Sequence, residues 1–139
     1  DGIRALYVTG VRRVLFRSGD ELGQLGLVRQ RQAAIHALAQ AVSSGQIRLH
    51  AGADVAATMD ALKALPGIGA WTADYIALRA LRWPDAFPAG DVALQKALSP
   101  DGQRLTARAA EGRAERWRPW RAYAVIRAWH SPLHSLSTQ

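Results

Sequence analysis

Two helically periodic stretches meet at Leu65-Pro66-Gly67-Ile68-Gly69, and that interruption limits the possible folds more than any other feature of the chain. Before it, Val55, Met59, Leu62 and Leu65 recur at helical spacing from a start near Asp54; after it, Ala73, Ile76, Ala77 and Ala80 do the same over about 70–81. Proline cannot continue the first helix, and the glycines permit a tight reversal. The pattern is a helical hairpin. Its second helix opens with backbone amides that have no partner within the helix, and the two glycines remove side chains that would block them. The turn can therefore hold a phosphate without a charged residue. On these residues alone, a tight connection that binds nothing stays open as the alternative.

The rest of the chain follows the same period. Ile35, Leu38, Ala39 and Val42 form one stripe on a helix from about Arg29 to Ser44, ended by Gly45. Asp91 can cap a helix that begins Val92-Ala93-Leu94. Two more helices are predicted at Thr106 to Trp117 and Pro119 to His130, the latter with proline at its first position. Between them, Pro84, Pro88 and Gly90 make Arg82 to Gly90 a loop, and residues 131–139 read as a frayed tail. No alternating run suggests a sheet and no segment repeats. The fold class is all-α.

Charge points to the partner. The 139-residue chain carries 18 Lys+Arg against 11 Asp+Glu, net +7, and all the cations but Lys63 and Lys96 are arginine, the side chain suited to bidentate phosphate contacts. Part of that excess lies in residues 1–18, which look like translated short-read sequencing adapter. Arg12-Arg13-Val14-Leu15-Phe16-Arg17-Ser18 matches AGA CGT GTG CTC TTC CGA TCT; Val8 to Val11 matches the bases just upstream after a one-base slip, and Ala5-Leu6-Tyr7 falls where an index would sit. Residues 1–18 are therefore set aside as non-native. Removing their four arginines and one aspartate leaves +4. Cysteine is absent, which excludes disulfides, thiolate zinc sites, a cysteine-ligated iron–sulfur cluster and a cysteine nucleophile. The apolar runs are too short for a membrane helix, so the expectation is a soluble, cytoplasmic chain with no membrane partner; it is expected to act as a monomer.

The residues from about Leu22 to His130 resemble the helix-hairpin-helix DNA glycosylases, specifically the 3-methyladenine DNA glycosylase II (AlkA-like) branch. The resemblance is carried by Leu65 through Ala73 with Tyr75 and Ala77-Leu78-Arg79, then Phe87 through Asp91 with Leu94 and Lys96. It continues in Glu115-Arg116-Trp117-Arg118-Pro119-Trp120-Arg121 with Tyr123-Ala124. It implies a partial helical lobe over 19–130 and base-excision hydrolysis of alkylated purines, such as 3-methyladenine, in flipped-out nucleotides of double-stranded DNA. Asp91 falls at the family's catalytic aspartate. A carboxylate there would offset the positive charge that grows on the deoxyribose as the N-glycosidic bond breaks, and could orient or deprotonate the attacking water. A helix N-terminus favours the ionised form.

The resemblance also makes Trp71, Trp129 and Tyr75 the lining of the base pocket, and Pro66, Gly67, Ile68, Gly69 and Thr72 the grip on the DNA backbone. Relatives that also nick the strand carry a lysine where Trp71 stands, and an indole cannot form a Schiff base. A one-step, water-using enzyme follows, with no required cofactor. The family's structural Na+ or K+ would sit on the carbonyls of Lys63, Leu65 and Ile68. The remaining tryptophans, Trp83, Trp117 and Trp120, are expected in the core; Asp74, Asp85 and Asp101 receive no role. His36, His50, His130 and His134 lack metal-ligand spacing. Because the resemblance starts partway through the family pattern, the expectation is a truncated piece that lacks one wall of the cleft, with an inactive glycosylase fragment as one alternative. A non-enzymatic DNA-binding module and a bifunctional glycosylase/lyase using another amine are the rival readings.

Overall fold

The computed structural model of the chain describes residues 19–130. The expectations for residues 1–18 and for the tail at 131–139, His134 included, lie outside the described residues. Among those described, every regular element is helical, with seven α-helices and no strand. They fall into two compact units that divide between Gly69 and Ala70.

The first unit contains α1 (Gly19–Gln24), α2 (Arg29–Ser43) and α3 (Val55–Lys63). Helix α2 ends as its sequence requires: the Ser44 amide donates to the Gln40 carbonyl at 2.9 Å, and Gly45 takes the left-handed conformation at φ 78°. Its buried face differs from the expected stripe. Ala34, Ala39 and Ala41 are buried, whereas Ile35, Leu38 and Val42 are half-buried. The turn after α3 supplies a reason for a small residue at 34. A Cβ added at Gly67 would stand 2.9 Å from the Ala34 Cβ and 3.4 Å from the Gln30 carbonyl oxygen, so the hairpin backbone lies directly on α2. Helix α3 starts where Asp54 caps it, accepting from the Ala57 amide at 3.0 Å, and buries Thr58, Met59 and Leu62. The Ile68 amide then donates to the Leu65 carbonyl at 3.2 Å, and the buried Ile68 side chain anchors the turn.

The second unit begins with α4 (Ala70–Ile76), which runs into a wider π-helical turn at Ala77–Leu81. A single uninterrupted α-helix was expected over that span. The widening arises where the Arg82 and Trp83 amides both converge on the Ala77 carbonyl, with Arg82 held left-handed at φ 54° to end the helix. After the loop come α5 (Val92–Ala97) and α6 (Ala107–Ala114), the latter capped by Thr106 and followed by a 3₁₀ turn at Glu115–Trp117. Last is α7 (Arg121–His130).

The start of α7 corrects the sequence reading. Pro119 is not its first residue: the Arg118–Pro119 peptide is cis, Arg118 is extended, and the pair forms a turn ahead of the helix. The Trp120 amide donates to the Trp117 carbonyl at 2.7 Å, and the Trp120 carbonyl accepts from Tyr123, so Trp120 leads into the helix. The core of this unit is built from Ala73, Ala77, Leu94, Ala110, Ala114 and Val125, all fully buried. Such small inward residues let the helices approach closely. No helix among the described residues is long and apolar enough to cross a membrane.

Candidate active site

Residues spaced four apart on α4 and the π turn after it form a ladder on one face. Trp71 and Tyr75 stack with centroids 5.4 Å apart and planes 17° apart, and the Arg79 guanidinium lies 5.7 Å from the Tyr75 ring centre. Tyr75 also touches Trp129 from the last turn of α7, at 5.9 Å and 41°. Ala73 and Ala77 face the core instead, which leaves the ladder outward. Trp71 keeps 43% of its surface exposed, so much of the indole stays open to solvent beside its stack on Tyr75.

Asp91 stands at the head of α5 and meets this ladder. Its Oδ1 accepts from the Leu94 amide at 2.7 Å, the N-cap bond its sequence position predicts. Oδ1 also accepts from Trp129 Nε1 at 3.2 Å, while Oδ2 accepts from Trp71 Nε1 at 3.0 Å. The two indoles thus turn their N–H edges to the carboxylate, and Trp71 offers its open face to solvent. A carboxylate has about four acceptor positions; three are taken, and the open one is on Oδ2. This arrangement unites Asp91, Trp71, Trp129 and Tyr75, residues from three separate elements of the second unit.

Asp85, given no role from the sequence, is the hub of a buried ion-pair network six residues before Asp91. Arg121, 4% exposed, donates from Nε to Oδ1 at 2.7 Å and from its terminal nitrogen to Oδ2 at 2.8 Å and to the Asp85 carbonyl at 3.0 Å. Arg118 joins Asp85 to Glu115, donating to a carboxylate of each. Burial pushes the Asp85 carboxyl up, but the Arg121 hydrogen bonds and the charges of Arg121 and Arg118 outweigh it and hold the group below its ordinary value. The Ala122 amide bonds to the Pro84 carbonyl at 2.9 Å, so the loop carrying Asp91 is tied to the head of α7 at two points. One signal foretells this: an aspartate set among Pro84, Ala86, Phe87 and Pro88, an apolar stretch in which a buried carboxylate needs a counter-charge.

The hairpin residues divide by role. Pro66, Gly67 and Gly69 are exposed, Ile68 is buried, and Thr72 is half-buried. Gly67 is glycine because of its φ of 77° and its contact with Ala34, so clearance for a phosphate is not what demands it. At Gly69 an added Cβ would meet nothing within 4 Å, which makes Gly69 the position where a missing side chain leaves open access. The expectation of three core tryptophans fails for Trp120, which is 57% exposed and touches Tyr123 edge-on at 5.9 Å; Trp83 and Trp117 are half-buried. Its place in the turn before α7 turns the indole outward. Among the described residues no group of three His, Asp or Glu side chains is arranged to hold a metal.

No family model matches the chain. Curated proteins do. Over 115 residues, 83% of this chain, it is 40% identical to the Mycobacterium tuberculosis protein named "Probable bifunctional transcriptional activator/DNA repair enzyme AlkA", covering 23% of that protein. Over 110 residues, 79% of the chain, it is 34% identical to "DNA-3-methyladenine glycosylase 2" of Escherichia coli, covering 38% of it. A Bacillus subtilis "DNA-3-methyladenine glycosylase" is 38% identical over 66 residues, 45% of the chain, covering 22% of that relative. The chain therefore spans well under half the length of the relatives it matches.

Proposed function

The chain belongs to the AlkA-like DNA-3-methyladenine glycosylases, and from that membership we propose that it supplies the catalytic carboxylate and the stacking wall of an enzyme that hydrolyses the N-glycosidic bond of alkylated purines in DNA. The observation that carries the reading is Asp91, held by the N–H groups of Trp71, Trp129 and Leu94 beside an indole face open to a flipped base.

The chemistry follows from charge. As the bond from the sugar to the purine breaks, the bonding pair leaves with the base and positive charge grows on the deoxyribose. An ionised Asp91 offsets that charge, and its open Oδ2 position can accept the proton of the water that adds to the sugar. Extruding the base costs a few kcal/mol, least for a damaged base. Stacking on Trp71 helps offset it, and a base made cationic by methylation gains a further cation–π contribution of about 0.5–2 kcal/mol. The positive charge also weakens the glycosidic bond, so the site needs no strong general acid. Trp71 stands where strand-nicking relatives carry a lysine, which supports hydrolysis in one step.

Double-stranded DNA containing alkylated bases is the partner in this reading, the protein acting as a monomer in the cytoplasm. Backbone amides around Gly69 would meet a phosphate, giving affinity without sequence preference. We also propose a monovalent cation on the carbonyls of Lys63, Leu65 and Ile68; that of Leu65 accepts the Ile68 amide at 3.2 Å and keeps a second lone pair for it. Such an ion would add positive charge beneath the phosphate.

The test is single-turnover release of methylated purines from alkylated duplex DNA by the whole protein and its Asp91→Asn variant. The variant should lose excision while its affinity for damaged DNA is unchanged or raised, since a charge that repels phosphate has gone. Excision at the wild-type rate would remove Asp91 from the chemistry. DNA binding without release by the wild type would favour a non-enzymatic module, and a borohydride-trapped adduct a lyase.

A further inference from the structure

Gln95 is 2% exposed, and its side-chain amide is held at both ends. Arg104 Nε donates to Gln95 Oε1 at 2.7 Å, and Gln95 Nε2 donates to the Ala89 carbonyl at 2.7 Å. Arginine only donates and a peptide carbonyl only accepts, so these partners dictate which end of the amide points where. The backbone N–H of Gln95 donates to the Asp91 carbonyl at 2.9 Å. One residue thus grips the carbonyls on either side of Gly90, the glycine that precedes Asp91. Gly90 supplies no side-chain anchor, and a Cβ added there would meet nothing within 4 Å. A leucine or methionine would fill the same interior space without the desolvation cost of an amide. The polar side chain is explained by what it holds.

We propose that Gln95, oriented by Arg104, is a positioning residue for Asp91: it fixes the Ala89–Asp91 turn from which the carboxylate reaches the sugar. The proposal rests on the reading of Asp91 as the catalytic carboxylate. No hydrogen bond joins the Gln95 side chain to the Asp91 carboxylate or to Trp71, Tyr75 and Trp129, so its effect belongs to the rate of bond cleavage and leaves lesion affinity alone.

Gln95→Glu is the sharpest perturbation, since it keeps an acceptor for Arg104 and sets an oxygen against the Ala89 carbonyl. The experiment measures single-turnover excision and affinity with alkylated duplex DNA, using the whole protein and a labile 7-methylpurine so that slow variants stay measurable. Gln95→Glu should slow excision about tenfold, in line with the sensitivity of catalysis to sub-ångström placement, with unchanged affinity. Combined with Asp91→Asn it should add no further loss. Arg104→Gln, which frees the amide to rotate, should give a smaller loss in the same direction. In ¹H–¹⁵N spectra of the chain, the indole N–H signals of Trp71 and Trp129 should move together in Gln95→Glu. A wild-type rate in Gln95→Glu beside a disabled Asp91→Asn overturns the proposal and leaves Asp91 standing; a wild-type rate in Asp91→Asn overturns both. Equal slowing with and without the Asp91 carboxyl, or affinity falling in step with rate, assigns Gln95 to the fold alone and also overturns it. If thermal unfolding finds Gln95→Glu unfolded, Arg104→Gln is judged by the same criteria.

Discussion

Trp71→Phe separates the two things this indole does. Phenylalanine keeps a ring over Tyr75 and an open face for a base, but removes the N–H that reaches Asp91 Oδ2 at 3.0 Å. Hydrogen bonds to charged groups contribute about 1.5–3 kcal/mol. Trp71 is 43% exposed, so water takes over part of the lost bond and the lower end applies. At about 1.4 kcal/mol per factor of ten, the expected cost is close to tenfold in the excision step. It falls there because the carboxylate, left with Leu94 and Trp129 on Oδ1 alone, can swing its other oxygen away from the sugar. The assay is single-turnover excision of 3-methyladenine at saturating enzyme, with lesion affinity measured in parallel. Trp71→Ala is the control, since it also removes a stacking surface worth about 1–3 kcal/mol per base, a loss that registers in affinity. If Trp71→Phe excises at the wild-type rate, or loses as much affinity as Trp71→Ala, the N–H bond to Asp91 has no part in catalysis.

Asp85→Asn should destabilise the second unit by up to about 3–5 kcal/mol, because the buried Arg121 would keep only the more exposed Glu115 carboxylate, 3.8 Å away, as counter-charge; urea unfolding of the chain measures this. Since the folded state holds the Asp85 carboxyl below its ordinary value of 3.8, the pair's contribution is complete above about that pH. It drains away as pH falls further, through the folded-state value. Asp85→Asn should therefore flatten the acid limb of stability against pH, and an unchanged limb would mean that other carboxylates govern it. Gly67→Ala should cost about 1–2 kcal/mol for the left-handed backbone, plus the clash with Ala34. Gly69→Val should leave the melting temperature nearly unchanged and weaken binding to every DNA sequence alike, a selective loss arguing against a phosphate-only contact.

Local chemistry made much of this legible. Asp54, Asp91 and Thr106 each announce a helix start through a cap bond to the residue three further on, and all three bonds form. Gly45 likewise ends its helix at the predicted place. What escaped were features set by distant partners. The stripe on α2 could be counted, but its inward turn toward Ala34 depends on Gly67, more than thirty residues away. The widened turn after Ile76 and the late start of α7 both involve the loop after Leu81, whose Trp83 amide binds the Ala77 carbonyl and whose Pro84 carbonyl binds the Ala122 amide. At the site, Asp91 and the aromatic residues came from the family resemblance; no spacing reveals that two indole N–H groups would converge on one carboxylate. Asp85 and Asp91 look alike in sequence, since nothing local separates an aspartate that stabilises the fold from one that reacts.

The Asp85 network also bears on how the protein would respond to ionic strength. Arg118 and Arg121 are matched by Asp85 and Glu115, so this quartet carries no net charge, and Arg121 lies out of reach of any phosphate. Counterions are released only by side chains that reach the DNA backbone, each phosphate neutralised steepening the fall of log affinity against log salt by about 0.9. Counting arginines would therefore overstate that slope. In the proposed reading, a salt dependence shallower than the composition suggests would keep more of the grip on DNA as ionic strength rises.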